Sequence, residues 1–327
     1  MQPTRIIYFD WHSQASEFYR AMPLDYIQNK QLQITRSTER TVTSHTLNPY
    51  DVVIIFRPSS QYHLSLIKLA QDLNKKVIID WDDQPLCLPE TNPMYEHYET
   101  EKQTTISCLS FANEIWVSTQ AIKDAFLIYN QNIHVILNAH NDYVYKVADK
   151  KPFGIEKKVM WRGGASHTGD IYQPGICEWI VRLINKNKDC DFYWLGQKFE
   201  WIEYRVKYGN FYHHPGASTI QFYKLMHEIN AQKFFYPLTD SPFNRAKSNC
   251  SWIESTYSGS AYFGQTNLHE FNKPGIFPLS DLPKMIDGQY RYVLEKAHNE
   301  SWNYIKENLL LSKINRDREN RLIEIGR

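Results

Sequence analysis

Short unbroken apolar runs alternate with helically spaced ones through the first half of the chain. RIIYFD (Arg5 to Asp10), DVVIIFR (Asp51 to Arg57) and KKVIIDWDD (Lys75 to Asp83) are rich in β-branched residues, the pattern of strands buried on both faces. Between the latter two, Leu64, Ile67, Leu69 and Leu73 fall near helical spacing, which makes a βαβ unit. EIWVST (Glu114 to Thr119), a helix from about Gln120, and HVILN (His134 to Asn138) continue the rhythm. A parallel sheet flanked by helices is predicted.

The polar stretch ADKKPFGIEK at 148–157, with Pro152 and Gly154, interrupts the pattern before KVMWRGG (Lys158 to Gly164) restores it, so an interdomain linker is placed there. The second half then repeats the alternation. It runs through a helix near 174–187, DFYWLG (Asp191 to Gly196), FYHH (Phe211 to His214), a helix around 218–230, and KFFYPL (Lys233 to Leu238). A helix from about Arg245 to Gly259 and a strand SAYFGQ (Ser260 to Gln265) complete it. The expectation is an α/β chain of two Rossmann-like domains, 1–150 and 151–288, followed by a polar helical segment, 289–327, that packs back on them. A length of 327 residues suits two cores better than one.

Composition adds little to this and removes some alternatives. The formal charge of +1 supplies no global attraction for nucleic acid or an anionic membrane. No stretch approaches the roughly 20 apolar residues of a membrane span, and the opening MQPTRIIYFDWHSQ lacks the apolar core of a signal peptide, so a cytoplasmic protein is expected. Five cysteines, widely spaced and without a CxxC pair, suggest reduced thiols rather than disulfides or zinc. The first strand is followed by FDWHSQAS instead of a GxGxxG, which disfavours a dehydrogenase.

Ligands of doubly wound sheets bind beyond the carboxyl ends of the strands, and three such places carry reactive residues. In PLTDSPFNRAKSNCSWIESTYSG (Pro237 to Gly259), a helix opening near Asn244 would offer its N-terminus to a diphosphate, with Lys247 adding a positive charge. Glu254 would lie two turns further on the same face, at the distance of a ribose diol; the alternative is a plain amphipathic surface helix. In MWRGGASHTGDI (Met160 to Ile171), Gly163 and Gly164 permit close approach of a phosphate that Arg162 could neutralise. A tight turn capped by Ser166 or Asp170 is the other reading. The third place, IIDWDDQPL (Ile78 to Leu86), ends in Asp80, Asp82 and Asp83, which could orient an acceptor hydroxyl, bind a cation or cap a turn.

The first segment resembles the donor site of GT-B glycosyltransferases of the large retaining family numbered four, through Phe243, Asn244, Lys247, Ser248 and Glu254. The family's paired-glutamate signature has Glu at both ends of this interval. Here Lys247 holds the first position, with Asp240 as a substitute carboxylate. Gly164, Ser166, His167 and Asp170 match the family's Gly-Ser-x-x-His-x-x-Asp loop, and SEFYRAMP, IIFRP, ANEIWVST and ILNAHND extend the resemblance over most of the chain.

The resemblance implies transfer of a sugar from a nucleotide-diphosphate donor, UDP-sugar favoured, to a hydroxyl with retention. No tightly bound cofactor and no divalent metal would be required. Lys247 and Arg162 would stabilise the leaving diphosphate, Asp82 and Asp83 would orient the acceptor, and Arg20, Asp80 and Arg57 would lie on the acceptor side. The overall style resembles glycosyltransferases of large DNA phages, so duplex DNA with hydroxymethylated pyrimidines is the lead acceptor. Basic groups at Lys75 and Lys76, Lys157 and Lys158, Arg205 and Lys207, and Lys313, Arg316, Arg318 and Arg321 could track its phosphates. A cell-envelope glycan or a protein is the alternative acceptor, and a nonenzymatic nucleotide-binding module the alternative function.

Overall fold

The computed structural model describes residues 2–11 and 16–326; the segment FDWHSQAS lies partly outside them. Two six-stranded sheets organise the chain. The first contains β1 (Thr4–Phe9), β2 (Leu32–Ser37), β3 (Val52–Phe56), β4 (Lys76–Trp81), β5 (Glu114–Val117) and β6 (Ile133–Val135), ordered β2-β1-β3-β4-β5-β6. The second contains β7 (Lys158–Gly163), β8 (Asp191–Gly196), β9 (Phe211–His214), β10 (Lys233–Phe235), β11 (Ala261–Gly264) and β12 (Ile276–Pro278), ordered β12-β11-β10-β7-β8-β9. Every described pairing is parallel.

Each sheet grows in both directions from its first strand, which opens a crevice beyond the carboxyl ends of β1 and β3, and another beyond those of β7 and β10. β3 is buried along its whole length, the physical reason its run is apolar without alternation. β2 pairs only with β1 at the sheet edge, so it needs no such run; LQITRS carries Gln33, Thr35 and Arg36 and gives no strong strand signal. Three-residue β12, at an edge of the second sheet, is equally silent.

The helix Arg291–Asn308 buries Leu294, Trp302 and Ile305 against the second sheet. The chain then crosses back, and the helix Leu311–Ile325 buries Leu311, Ile314 and Leu322 against Ile6, Tyr8 and Val52 of the first. This crossing accounts for much of the basic tail. Arg318 is buried and donates to Asn315 Oδ1 at 2.7 Å, and Arg321 Nε donates to both oxygens of buried Glu114 at 2.9 Å. Elsewhere Lys157 pairs with Asp189, Lys158 with Glu156, and Arg205 lies 4.3 Å over the Trp201 ring.

Arg20 and Asp80, expected on the acceptor side, form a closed pair beneath the sheet end instead. Arg20 Nε donates to Asp80 Oδ1 at 2.9 Å, Tyr8 Oη donates to Oδ2 at 3.1 Å, and both charged side chains are almost wholly buried. Burial first, and then the nearby Arg20 charge, hold Arg318 down at about 9. Asp80→Asn would leave Arg20 buried without its counter-ion and should cost about 3–5 kcal/mol in urea unfolding; a loss under about 1 kcal/mol would refute this role.

Three buried histidines each donate a ring N–H to an acceptor, locally for His140 and His167 and across 42 residues for His298. The Nε2–H of His140 donates to Tyr145 O at 2.8 Å and that of His298 to Thr256 O at 2.9 Å, while His167 Nδ1–H donates to Asp170 Oδ2 at 3.1 Å. Burial lowers all three from 6.5 to about 4. Between these values the unfolded chain binds protons that the native chain does not, so stability is lost as pH falls through this window. Unfolding free energy should decline by up to about 1.4 kcal/mol per pH unit for each histidine, and His298→Gln should remove about one proton's worth of that slope. A profile flat from pH 6.5 to 4.5 would contradict the assignment.

Candidate functional site

A cavity of about 850 Å³ opens beyond the carboxyl ends of β7 and β8. Its floor is made by glycines because two strand ends converge there. A Cβ on Gly163 would meet the Trp161 ring at 2.5 Å, and Gly196, at φ 110°, turns against the Gly163 carbonyl, where a side chain would collide. Gly164 differs, since a Cβ there meets nothing within 4 Å; it faces open space and lines the cavity. Arg162 lines it too. The opposite wall is the segment from Gly216 to Phe222, where the helix Thr219–Ile229 begins. Ser218 caps that helix by accepting from Gln221 N at 3.3 Å, and Gln221 Oε1 accepts from Ser218 N at 2.9 Å. The helix thus presents an ordered, positive N-terminal end to the cavity.

Arg162 is fixed from behind. Its Nη2 donates to Glu254 Oε1 at 2.7 Å, and its guanidinium lies 5.3 Å from the Phe222 ring centroid. Glu254 is fully buried, and Tyr19 Oη from the first half of the chain donates to the same oxygen at 2.6 Å. Burial raises the Glu254 pKa against the opposing influence of Arg162 and Tyr19. Its second oxygen has no partner among the described residues. Tyr19 lies in a π-helical turn, Glu17–Ala21, and neighbouring Phe18 packs 5.6 Å from Tyr223, which stacks on Tyr145 at 4.3 Å and 13°.

The segment carrying Lys247 departs from expectation. A continuous helix from about Arg245 would put Lys247 and Glu254 on one face, but a short turn, Pro242–Arg245, is followed by a break and then the helix Cys250–Tyr257. The break exists because this loop docks on the other half of the molecule. Thr119 Oγ1 donates to Ala246 O at 2.9 Å, Asn138 Nδ2 donates to Ser248 Oγ at 2.9 Å, and Ala246 joins the core of the first sheet. Lys247, mostly buried, rests 4.5 Å over the Phe243 ring. Its charge is felt across the cleft: burial pushes Asp83 up, but Arg57 and then Lys247 bring it below the usual carboxylate range.

The remaining expected residues are scattered. His167, Asp170 and Asn244 form a buried network. His167 Nε2 accepts from Tyr236 Oη at 2.7 Å, and Asp170 Oδ1 accepts from Asn244 Nδ2 at 2.6 Å and from Thr239 N at 2.9 Å. These residues lock the β7 loop to the loop after β10 and do not line the cavity. Ser166 is half-buried and also stands outside it, and Ser248 opens onto a separate cavity of about 240 Å³ with Asn138 and Glu270. Asp240, the substitute carboxylate, is turned to the exposed surface, where it accepts from Arg245 Nε at 2.6 Å. In the acidic cluster, Arg57 Nε donates to Asp82 Oδ1 at 2.5 Å and Nη2 to Asp83 Oδ2 at 2.7 Å, so buried Asp82 is held by Arg57 and only Asp83 retains substantial exposure. Arg57 itself sits at φ 48°, an uncommon conformation for a non-glycine residue. Among the described residues, no group of three or more His, Cys, Asp or Glu side chains could hold a metal ion, and no helix is long and apolar enough to cross a membrane.

Sequence reasoning missed the wall from Gly216 to Phe222 and the interdomain tyrosines. The Ser218 and Gln221 pair three residues apart was a readable helix-start signal, and Gly196 and Gly216 stand shortly after strand runs. Tyr19 gave no local signal, because its partner Glu254 is 235 residues away.

No protein-family model matches the chain, and no curated protein matches it in sequence. Solved structures do. Anabaena HepE in complex with UDP-glucose aligns with TM-score 0.64 at 12% identity, over 97% of this chain and 99% of that one. TarM aligns with TM-score 0.60 at 16% identity, over 83% of this chain and 54% of TarM, about half that protein's length. The α,α-trehalose 6-phosphate synthase of Burkholderia multivorans gives 0.56 at 10% identity, over 86% and 73%. At such identities the likeness is one of fold: the two parallel sheets facing across a cleft, with the last helix returning to the first, are the GT-B fold.

Proposed function

We propose that the chain is a glycosyltransferase that takes a sugar from a UDP-sugar and passes it to a hydroxyl acceptor. The observation that carries this reading is the main cavity: a glycine floor, an anchored arginine and a capped helix N-terminus, all at the carboxyl ends of a doubly wound sheet. Similar folds have been solved with UDP-glucose and with UDP, as the Anabaena HepE structures record.

In the proposed reaction the bond between the anomeric carbon and the β-phosphate oxygen breaks, and its electron pair remains on the departing UDP. Arg162 stabilises that charge, and Glu254 acts first as the anchor that aims it. Lys247 does not line the main cavity; its charge, which acts on both Asp83 and His167, is assigned a supporting role from beside it. The acceptor oxygen bonds to the anomeric carbon and passes its proton to the departing diphosphate, with retention of configuration as the resemblance implies. Positioning and fixed charge do the catalytic work, and no side chain is assigned as the base.

Asp83, half-exposed beside Arg57, keeps an acceptor-orienting role; Asp82 supports it through the same guanidinium. Duplex DNA with hydroxymethylated pyrimidines draws less support than a glycan as acceptor, since many of the basic groups that would follow its phosphates are buried or paired with carboxylates.

Incubation with UDP-sugars should release UDP, and an accepted hydroxyl compound should gain one sugar mass. Lys247→Ala should lower turnover about 100-fold or more, the usual effect of deleting one preorganised charge stabiliser, with little change in melting temperature. Turnover equal to the wild type would remove Lys247 from the mechanism. A nonenzymatic nucleotide-binding module would bind UDP and show no turnover in either form.

A further inference from the structure

Beyond the carboxyl ends of β1, β2 and β3 lie two hollows outside the site just described. One, of about 350 Å³, is lined by Asp10, Trp11, Glu17, Arg36 and Arg40 among others. The other, of about 370 Å³, is lined by Trp11, Arg40, Tyr62 and His63. They share Trp11 and Arg40, and Glu17 lines both the first hollow and the main cavity. The three spaces therefore form a series that runs from the proposed donor pocket to the outer rim of the first sheet. Each small hollow falls near the lower end of the range for ligand pockets, about 300–1,000 Å³.

The lining is built rather than incidental. Trp11 lies flat on Phe9, with ring centroids 5.2 Å apart at 12°, and its indole N–H donates to Glu39 O at 2.7 Å, so the ring is held rigid. Tyr62 stands edge-on to it at 5.9 Å and is 41% exposed. His63 Nδ1 accepts from the backbone N–H groups of Ser59 and Ser60, both at 3.1 Å, which puts the neutral ring's proton on Nε2. Between the hollows and the main cavity, Arg36 spans Glu17 at 2.6 Å and Asp25 at 2.7 Å.

Two properties identify the occupant. Aromatic surface beside carboxylates and a guanidinium suits a ring with apolar faces and a hydroxylated edge, because the faces stack while the hydroxyls both donate and accept. The charge balance opposes a polyanion. Asp10 and Glu17 offset Arg36 and Arg40 in the lining, and Arg36 is already held by Glu17 and Asp25. A DNA backbone would find little net positive charge here.

We infer that Trp11, Tyr62, His63 and Arg40 form an acceptor subsite for an uncharged oligosaccharide, one pyranose of which stacks on the exposed ring of Tyr62 beside Trp11 while the terminal unit passes Glu17 into the main cavity. The direction of threading rests on that cavity being the donor site; carbohydrate binding at the aromatic rim does not.

The test pairs two independent readouts on the full chain: a glycan array carrying neutral and acidic oligosaccharides, and calorimetric titration with UDP. Neutral oligosaccharides should bind, with affinity reduced about tenfold or more in Tyr62→Ala and Arg40→Ala, and restored in Tyr62→Phe, which keeps the ring. Tyr62 is exposed enough that its truncation leaves the fold intact, as a melting curve will verify. Failure of every oligosaccharide while UDP binds, or binding unchanged in Tyr62→Ala, would overturn the subsite. Preference for a 5-hydroxymethylated duplex over all glycans would overturn it too. Tyr62-dependent glycan binding without UDP binding would support the subsite and refute the donor reading instead.

Discussion

A carboxylate with no access to solvent must find a cation and donors or lose its charge, and in this chain Glu254 meets that demand from two directions at once. Arg162 comes from the end of β7, and Tyr19 from the π-helical turn after β1. The first contact aims a guanidinium at the cavity. The second draws Phe18 and Tyr19 into the core of the second sheet, where they pack with Tyr223 and Tyr145, so the buried charge also fixes how the two sheets face each other. Because Glu17 is the first residue of that turn, the same interaction sets the passage between the main cavity and the hollows beyond β1.

The two crevices are chemically unequal, and the difference follows from their linings. The second sheet offers glycines, a helix terminus and Arg162, which suit a diphosphate that requires close backbone approach and positive charge. The first offers aromatic rings and carboxylates offset by arginines, which suit an uncharged hydroxylated chain. Lys247 stands where the two halves meet. Its loop is pinned to the first sheet by Thr119 and Asn138, so the cation belongs to the second half in sequence and to both halves in space.

Most of the architecture was legible in the sequence because buried parallel strands require uninterrupted apolar runs; β1, β3, β4, β5, β7 and β8 all announce themselves this way. β2 and β12 did not, since an edge strand has weaker burial requirements. The site was legible only where local backbone chemistry marked it. Gly163, Gly164 and Arg162 follow a strand run and line the cavity. The Lys247 to Glu254 interval misled, because helical spacing takes no account of a carbonyl diverted to Thr119 in the other half. Asp80, Asp82 and Asp83 read as one acidic cluster, and its division into an Asp80 pair with Arg20 and an Asp82 pair with Arg57 depends on contacts 60 and 25 residues apart. Tyr19 and the wall from Gly216 to Phe222 entered the site only through tertiary structure.

The most direct test of the central claim is calorimetric titration of UDP into the wild type and into Gly164→Val. A Cβ at Gly164 meets nothing within 4 Å, so this substitution fills the cavity without straining the fold. Saturable binding to the wild type, weakened about tenfold or more by the valine, is the result the account predicts. Absence of UDP binding at millimolar concentration, or equal binding by the two proteins, would contradict it.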